Sequence, residues 1–138
     1  MDQPVIDVTA AVICRDSRVL IARRGAGSHL AGYWEFPGGK REPDDASLED
    51  CLRRELREEL KVEVVVGGPY GTTACELESG ITIRLHAFLC DIVDGEPVPR
   101  VQDRIAWASR DELTLYRFPL ADIPIVERLF REGVPAAR

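Results

Sequence analysis

Leu48, Leu52, Leu56 and Leu60 recur at four-residue intervals, and this spacing constrains the chain more than any other feature. Side chains four apart lie on one face of an α-helix, so the segment predicts an amphipathic helix whose apolar stripe must be buried against another layer. Ser47 followed by Asp50 resembles a capping box, with Asp in place of the usual Glu or Gln, and places the helix at about Ser47 to Lys61. The segments around it are strand-like. Val5 to Cys14 and Val19 to Ala22, interrupted by Arg15-Asp16-Ser17, predict a hairpin. Val62 to Val66 and Tyr70 to Leu77 are extended in character. Ile81 to Leu89 alternates with a two-residue period that sets His86 and Phe88 on the face opposite Leu85 and Leu89. A strand around Arg104 to Ala108, a helical turn at Ser109 to Leu113 and an amphipathic helix from about Asp122 to Arg131 complete a mixed α/β domain, one sheet with two substantial helices. No repeat or linker divides the 138 residues, which fit one domain.

Charge narrows the function. The net charge of -6, from 24 acidic and 18 basic residues, repels a polyanion and argues against a nucleic-acid polymer as partner. A small phosphorylated ligand stays open, because a metal ion can supply local positive charge. Cys14, Cys51, Cys75 and Cys90 are far apart and show no zinc spacing, which predicts reduced, mostly buried thiols. The opening Met1-Asp2-Gln3-Pro4 is acidic where a signal peptide is basic. No apolar run approaches the roughly 20 residues of a membrane span, so a cytoplasmic protein without membrane attachment is expected.

The helix carries the chemistry. Glu55, Glu58 and Glu59 project within about 100° of one another on the border of the leucine stripe. Like charges one turn apart repel, and a hard cation such as Mg²⁺ or Mn²⁺ turns that repulsion into binding. The plainer reading is a solvated face laced by Arg53, Arg54 and Arg57. The segment in front weighs against it: Trp34 to Lys40 contains Pro37-Gly38-Gly39, a turn whose backbone can approach a metal or phosphate closely.

Gly39, Asp45 and the run Arg54-Glu55-Leu56-Arg57-Glu58-Glu59-Leu60-Lys61-Val62 resemble the Nudix box, Gly-x5-Glu-x7-Arg-Glu-U-x-Glu-Glu-x-Gly-U with U aliphatic, and the resemblance extends over nearly the whole chain. Within that family it is similar to the MutT type and its cytidine-nucleotide-hydrolysing relatives, through Arg23-Arg24, Trp34 to Lys40 and Phe118 to Pro124. There are three departures. Asp45 stands for the first Glu, with eight residues rather than seven before Arg54. Lys61 replaces the helix-ending glycine. Val101 occupies the position six before Trp107 where MutT-type members carry an acidic ligand or base, leaving Asp103 as the nearest substitute.

The resemblance implies a Nudix fold, an α/β/α sandwich around a mixed sheet. It also implies Mg²⁺-dependent hydrolysis, with Mn²⁺ able to substitute, of a small-molecule nucleotide. The leading expectation is a nucleoside triphosphate pyrophosphohydrolase that removes cytidine or oxidised nucleotides from the pool and so protects DNA. ADP-ribose-type substrates and a non-catalytic nucleotide-binding module are the alternatives, and monomer and homodimer stay open. The expected metal ligands are Gly39 through its carbonyl, Glu55, Glu58, Glu59 and Asp103, with Glu55 or Glu58 as base. Arg54 and Asp45 orient them. Arg23 reaches the phosphates or is a plain surface arginine. Trp34, Glu35, Phe36, His86, Phe88 and Asp122 surround the base, although a histidine such as His86 is more often a packed strand residue and Asp122 fits equally the N-cap of the last helix.

Overall fold

The computed structural model describes residues 4–136, so most of the acidic opening segment Met1 to Pro4 lies outside the described residues. Its strands are β1 (Val5–Arg15), β2 (Arg18–Arg23), β3 (Trp34–Glu35), β4 (Glu63–Glu76), β5 (Thr82–Asp94) and β6 (Arg104–Ser109), with helices α1 (Leu48–Leu60) and α2 (Ile123–Glu132). The six-stranded sheet has the order β3-β2-β1-β5-β4, with β6 also pairing β2. It is mixed: β1 runs parallel to β5 from Val5 to Ile13, and the remaining pairs are antiparallel.

The expected hairpin is β1–β2, turned at Asp16 and Ser17 with φ of 52° and 62°, the geometry of a two-residue primed turn. α1 starts where the capping signal puts it: the Ser47 side chain accepts from the Asp50 amide at 3.0 Å. It ends on Lys61, which is left-handed at φ 58°, ψ 38°. Three expectations shift. The two extended segments after α1 are one strand, β4, because Gly67-Gly68-Pro69 forms a bulged stretch rather than a break. β5 continues to Asp94. The helical turn after β6 is a 3-10 turn over Glu112–Leu115 and begins later because Ser109 still belongs to the strand. There Glu112 accepts from the Ser109 amide at 2.9 Å, and the Ser109 hydroxyl accepts from the Glu112 amide at 3.3 Å.

Strand alternation sorts the core into two layers. Ala11, Ile13 and Leu20 face Leu52, Leu56 and Leu60 of α1, while Ala10, Val12, Val19 and Ile21 share the other face with Ile125 and Leu129 of α2. The sheet is thus sandwiched between one helix on each side. Cys14, Cys51, Cys75 and Cys90 are free thiols. Among the described residues no helix is long and apolar enough to cross a membrane.

Candidate active site

The Pro37-Gly38-Gly39 turn is wedged between β1 and α1. Ala11 donates its amide to the Pro37 carbonyl at 2.7 Å, and Thr9 donates to Gly39 at 2.8 Å. Gly38 has φ of 153°, and a Cβ there would collide with the Thr9 carbonyl; a Cβ at Gly39 would collide with the Glu55 carboxylate. The strand backbone requires glycine at position 38, whereas at position 39 a side chain would displace the Glu55 carboxylate.

Burial then separates the three glutamates. Glu59 is buried, and the Gly38 amide donates to its Oε2 at 3.2 Å. Burial, with repulsion from Glu55 and Glu35, pushes its carboxyl up to about 8. Glu55 is half-buried beside Gly39, and burial raises its proton affinity against the pull of Arg54. Glu58 is exposed. Arg54 reaches both of the latter, Glu55 Oε1 at 3.1 Å and Glu58 Oε2 at 3.3 Å. It also grips Asp45 through two bonds of 3.0 and 2.9 Å. Asp45 further accepts from the Glu42 amide at 2.8 Å, and these bonds hold its carboxyl far below the usual range. The Asp45 amide donates to the Glu42 carbonyl at 3.0 Å, and across eight intervening residues the Asp45 carboxylate still meets Arg54.

A cavity of about 760 Å³ opens on the α2 face of the sheet. Gly38, Gly39 and Glu59 line one part of it; Arg24, Glu35, Phe36, Phe118 and Asp122 line another. Phe36 and Phe118 stack at 5.5 Å. Arg24 donates to Glu35 at 2.5 Å and to the His29 carbonyl at 2.5 Å. Asp122 stands at the N-cap position of α2, but its side chain makes no capping bond there. It is 7% exposed. Burial first, then repulsion from Glu35 against the pull of Arg24, pushes its carboxyl up to about 7. Glu35 raises both Glu59 and Asp122 and so ties the two parts together.

Several expected residues lie elsewhere. Arg23 and Asp103 bind one another through bonds of 2.7 and 3.1 Å, and neither lines the cavity. Trp34 sets its ring edge-on to Tyr116 at 4.8 Å, because on β3 it alternates with Glu35, which faces the cavity. His86 and Phe88 are on the wrong side of β5: His86 Nε2 is 2.8 Å from Asp7, Phe88 packs with the α1 layer, and Ile83 and Leu85 line the cavity instead. The Gly39 carbonyl faces β1, accepting from the Thr9 amide and from the Thr9 hydroxyl at 3.1 Å. Among the described residues, no hydrogen bond ends on the Gly38 carbonyl, so Gly38 is the better donor beside Glu59. Arg24 and His29 were not assigned roles from the sequence; their signals are the Arg23-Arg24 pair and the Gly-rich loop from Gly25 to Gly32. Gly38 belongs to the glycine turn already expected to approach a metal, with Gly39 named as its ligand.

The donor set suits a hard divalent cation: two carboxylates made costly by burial or crowding, and a free carbonyl that only a glycine turn brings so close. It is not a closed cage. Among the described residues no three His, Cys, Asp or Glu side chains converge as a metal site, and Arg54 is paired with Glu55 and Glu58.

Comparison with known proteins agrees with this architecture. The chain is 42% identical over 123 residues, 89% of this chain and 90% of the other, to the CTP pyrophosphohydrolase of Escherichia coli strain K12. It is 46% identical over 65 residues, 46% of this chain and 57% of the other, to an 8-oxo-dGTP diphosphatase of Proteus vulgaris. The solution structure of the E. coli ORF135 protein superposes with a TM-score of 0.80 at 40% identity, covering 94% of this chain and 91% of that one. The NUDIX domain model matches residues 5–129, a span that runs from the first residue of β1 to Leu129 on the buried side of α2. With the glycine turn, the carboxylate helix and the sandwiched mixed sheet all inside that span, the chain belongs to the Nudix family.

Proposed function

We propose that residues 1–138 act as a single hydrolase domain that cleaves nucleoside triphosphates to a nucleoside monophosphate and pyrophosphate. Cytidine or oxidised nucleotides are the preferred substrates, and the role is to clear them from the nucleotide pool. The observation that carries this reading is one cavity with two chemistries, buried carboxylate and glycine backbone at Gly38 and Glu59, stacked aromatics and a second carboxylate pair at Phe36, Phe118, Glu35 and Asp122. The names of the relatives support the substrate class.

Glu59 and the Gly38 carbonyl would hold Mg²⁺, or Mn²⁺ in its place, with Glu55 and Glu58 beside them on α1. When bound, such a cation would neutralise charge on the phosphates and favour ionisation of the attacking water. Glu55 is the base: Arg54 occupies its Oε1, no hydrogen bond to Oε2 competes among the described residues, and burial raises its proton affinity. It takes a proton from water as the water oxygen bonds to phosphorus and the phosphoanhydride P–O bond breaks toward pyrophosphate. Arg54, neutralised by Asp45, keeps that carboxylate aimed.

The base lies against Phe36 and Phe118. Asp122, poised between its neutral and charged forms, both accepts from an exocyclic amine and, when protonated, donates to a ring nitrogen or carbonyl. The test is pyrophosphate release with Mg²⁺ from CTP, dCTP, 5-methyl-dCTP, 8-oxo-dGTP, dGTP, ATP and ADP-ribose. Preferential turnover of a cytidine nucleotide or 8-oxo-dGTP is expected. Turnover of ADP-ribose alone, or of nothing with either cation, overturns the proposal.

A further inference from the structure

The loop between β5 and β6 is fastened to the last turn of α1. Val98 donates its amide to the Leu60 carbonyl at 3.0 Å, and Arg100 donates to the Glu59 carbonyl at 3.0 Å. Just beyond, three consecutive side chains take different courses. Val101 is exposed, Asp103 is committed to Arg23, and Gln102 is buried at 6% exposure. The Gln102 side chain lies near the Glu59 carboxylate and favours its charged form. An ionised carboxylate only accepts, so the Gln102 amide must present its NH₂ to Glu59 and turn Oε1 away. That Oε1 is buried and has no hydrogen-bond partner.

An orphaned buried oxygen opposes folding, and an apolar side chain of the same length would avoid the cost. Its placement on a side chain beside Glu59 gives it a use, because a neutral amide oxygen is a hard donor of the kind divalent cations accept. It also adds no negative charge next to Glu59, which Glu55 and Glu35 already crowd.

We propose that Gln102 belongs to the cation site: its NH₂ fixes the Glu59 carboxylate, and its Oε1 gives a neutral oxygen to the cation's shell, directly or through one water. This rests on the reading that Glu59 holds a divalent cation. The experiment titrates Mn²⁺ alone into the full chain and its variants Glu59→Gln, Gln102→Leu and Gln102→Glu, with calorimetry and the Mn²⁺ spin-resonance signal as readouts. Melting temperatures are taken with and without Mn²⁺.

Gln102→Leu should weaken Mn²⁺ binding by about 10- to 100-fold, the usual effect of losing a group that orients or completes a metal shell. Without metal it should melt no lower than the parent, since the orphan oxygen is gone; a merely structural glutamine would give the opposite result. Gln102→Glu should bind Mn²⁺ more tightly and melt lower without it, and it decides the matter if the leucine variant does not fold. Unchanged Mn²⁺ affinity in either Gln102 variant, with binding lost in Glu59→Gln, overturns the role of Gln102 and leaves Glu59 as a ligand. Binding that survives in Glu59→Gln, or is absent from the parent chain, overturns the cation reading itself and Gln102 with it.

Discussion

The two faces of the sheet are built from alternate residues of the same strands, yet only one is filled. On the α1 side, Leu52, Leu56 and Leu60 close completely over Ala11, Ile13 and Leu20, and the buried Thr9 hydroxyl is satisfied by the Gly39 carbonyl. On the α2 side, Val12, Val19 and Ile21 continue an equally apolar wall, but α2 covers only part of it, and the remainder is a cavity holding Glu59 and Asp122. The difference assigns stability to the first face and chemistry to the second. It also explains the raised carboxyls: the apolar wall that would make a good core instead desolvates charges at its unfilled edge.

Substitutions of a similar size on the two sides should therefore have opposite signatures. Glu59→Gln keeps shape and removes a carboxylate from the cavity; pyrophosphate release should fall by about 10²- to 10⁴-fold, with no loss of melting temperature. Leu56→Ala opens a void in the filled layer and should cost about 2–5 kcal/mol in urea unfolding, with turnover per folded molecule unchanged. A Leu56→Ala protein that is stable but inactive would break the division, since α1 would then be tuning the site through its packing.

Asp122 sharpens the contrast through pH. Its carboxyl sits at about 7 in the folded chain against an ordinary 3.8, so the neutral form is the one the fold favours. The resulting stability is whole below about pH 4 and is lost as pH rises through 7, on the order of 2–4 kcal/mol by pH 8. Melting temperature without metal should decline over that window, and Asp122→Asn should flatten the decline. Glu59, pushed up to about 8, contributes with the same sign. Mg²⁺ should cancel the Glu59 part and leave the Asp122 part, because only the former meets the cation. A decline abolished entirely by Mg²⁺ in the parent chain would show that both carboxyls share one site.

Which features are readable without the fold follows from the range of the interactions. α1 was legible because its signals are local: the leucines, the Ser47 cap and the left-handed Lys61 lie within fifteen residues. Alternation in β5 correctly separated His86 and Phe88 from Leu85 and Leu89, but both faces of the sheet are apolar, so periodicity cannot tell which one faces a cavity. The Gly38-Gly39 turn was legible as a close approach; which carbonyl stays free depends on pairing with Thr9, thirty residues back. Arg23 and Arg24 exchange roles because β2 ends between them. Gln102 gave no signal at all, since an amide gains significance only from the carboxylate it meets, and Glu59 comes from a distant helix.

The smallest expected effect tests the filled face from its end. Lys61 holds φ 58°, ψ 38°, a conformation that costs an L-residue with a Cβ about 1 kcal/mol and glycine almost nothing. Lys61→Gly should therefore raise stability by up to about 1 kcal/mol in urea unfolding. Its neighbours make the outcome informative. The Leu60 and Glu59 carbonyls accept from the Val98 and Arg100 amides, so the helix end is also the anchor of the loop that carries Gln102. If the two faces are independent, the variant gains stability and Mn²⁺ affinity stays as it was. A gain in stability accompanied by weaker Mn²⁺ binding would mean that the lysine backbone, strained as it is, helps hold the loop against Glu59, and that the wall between packing and chemistry is open at this corner.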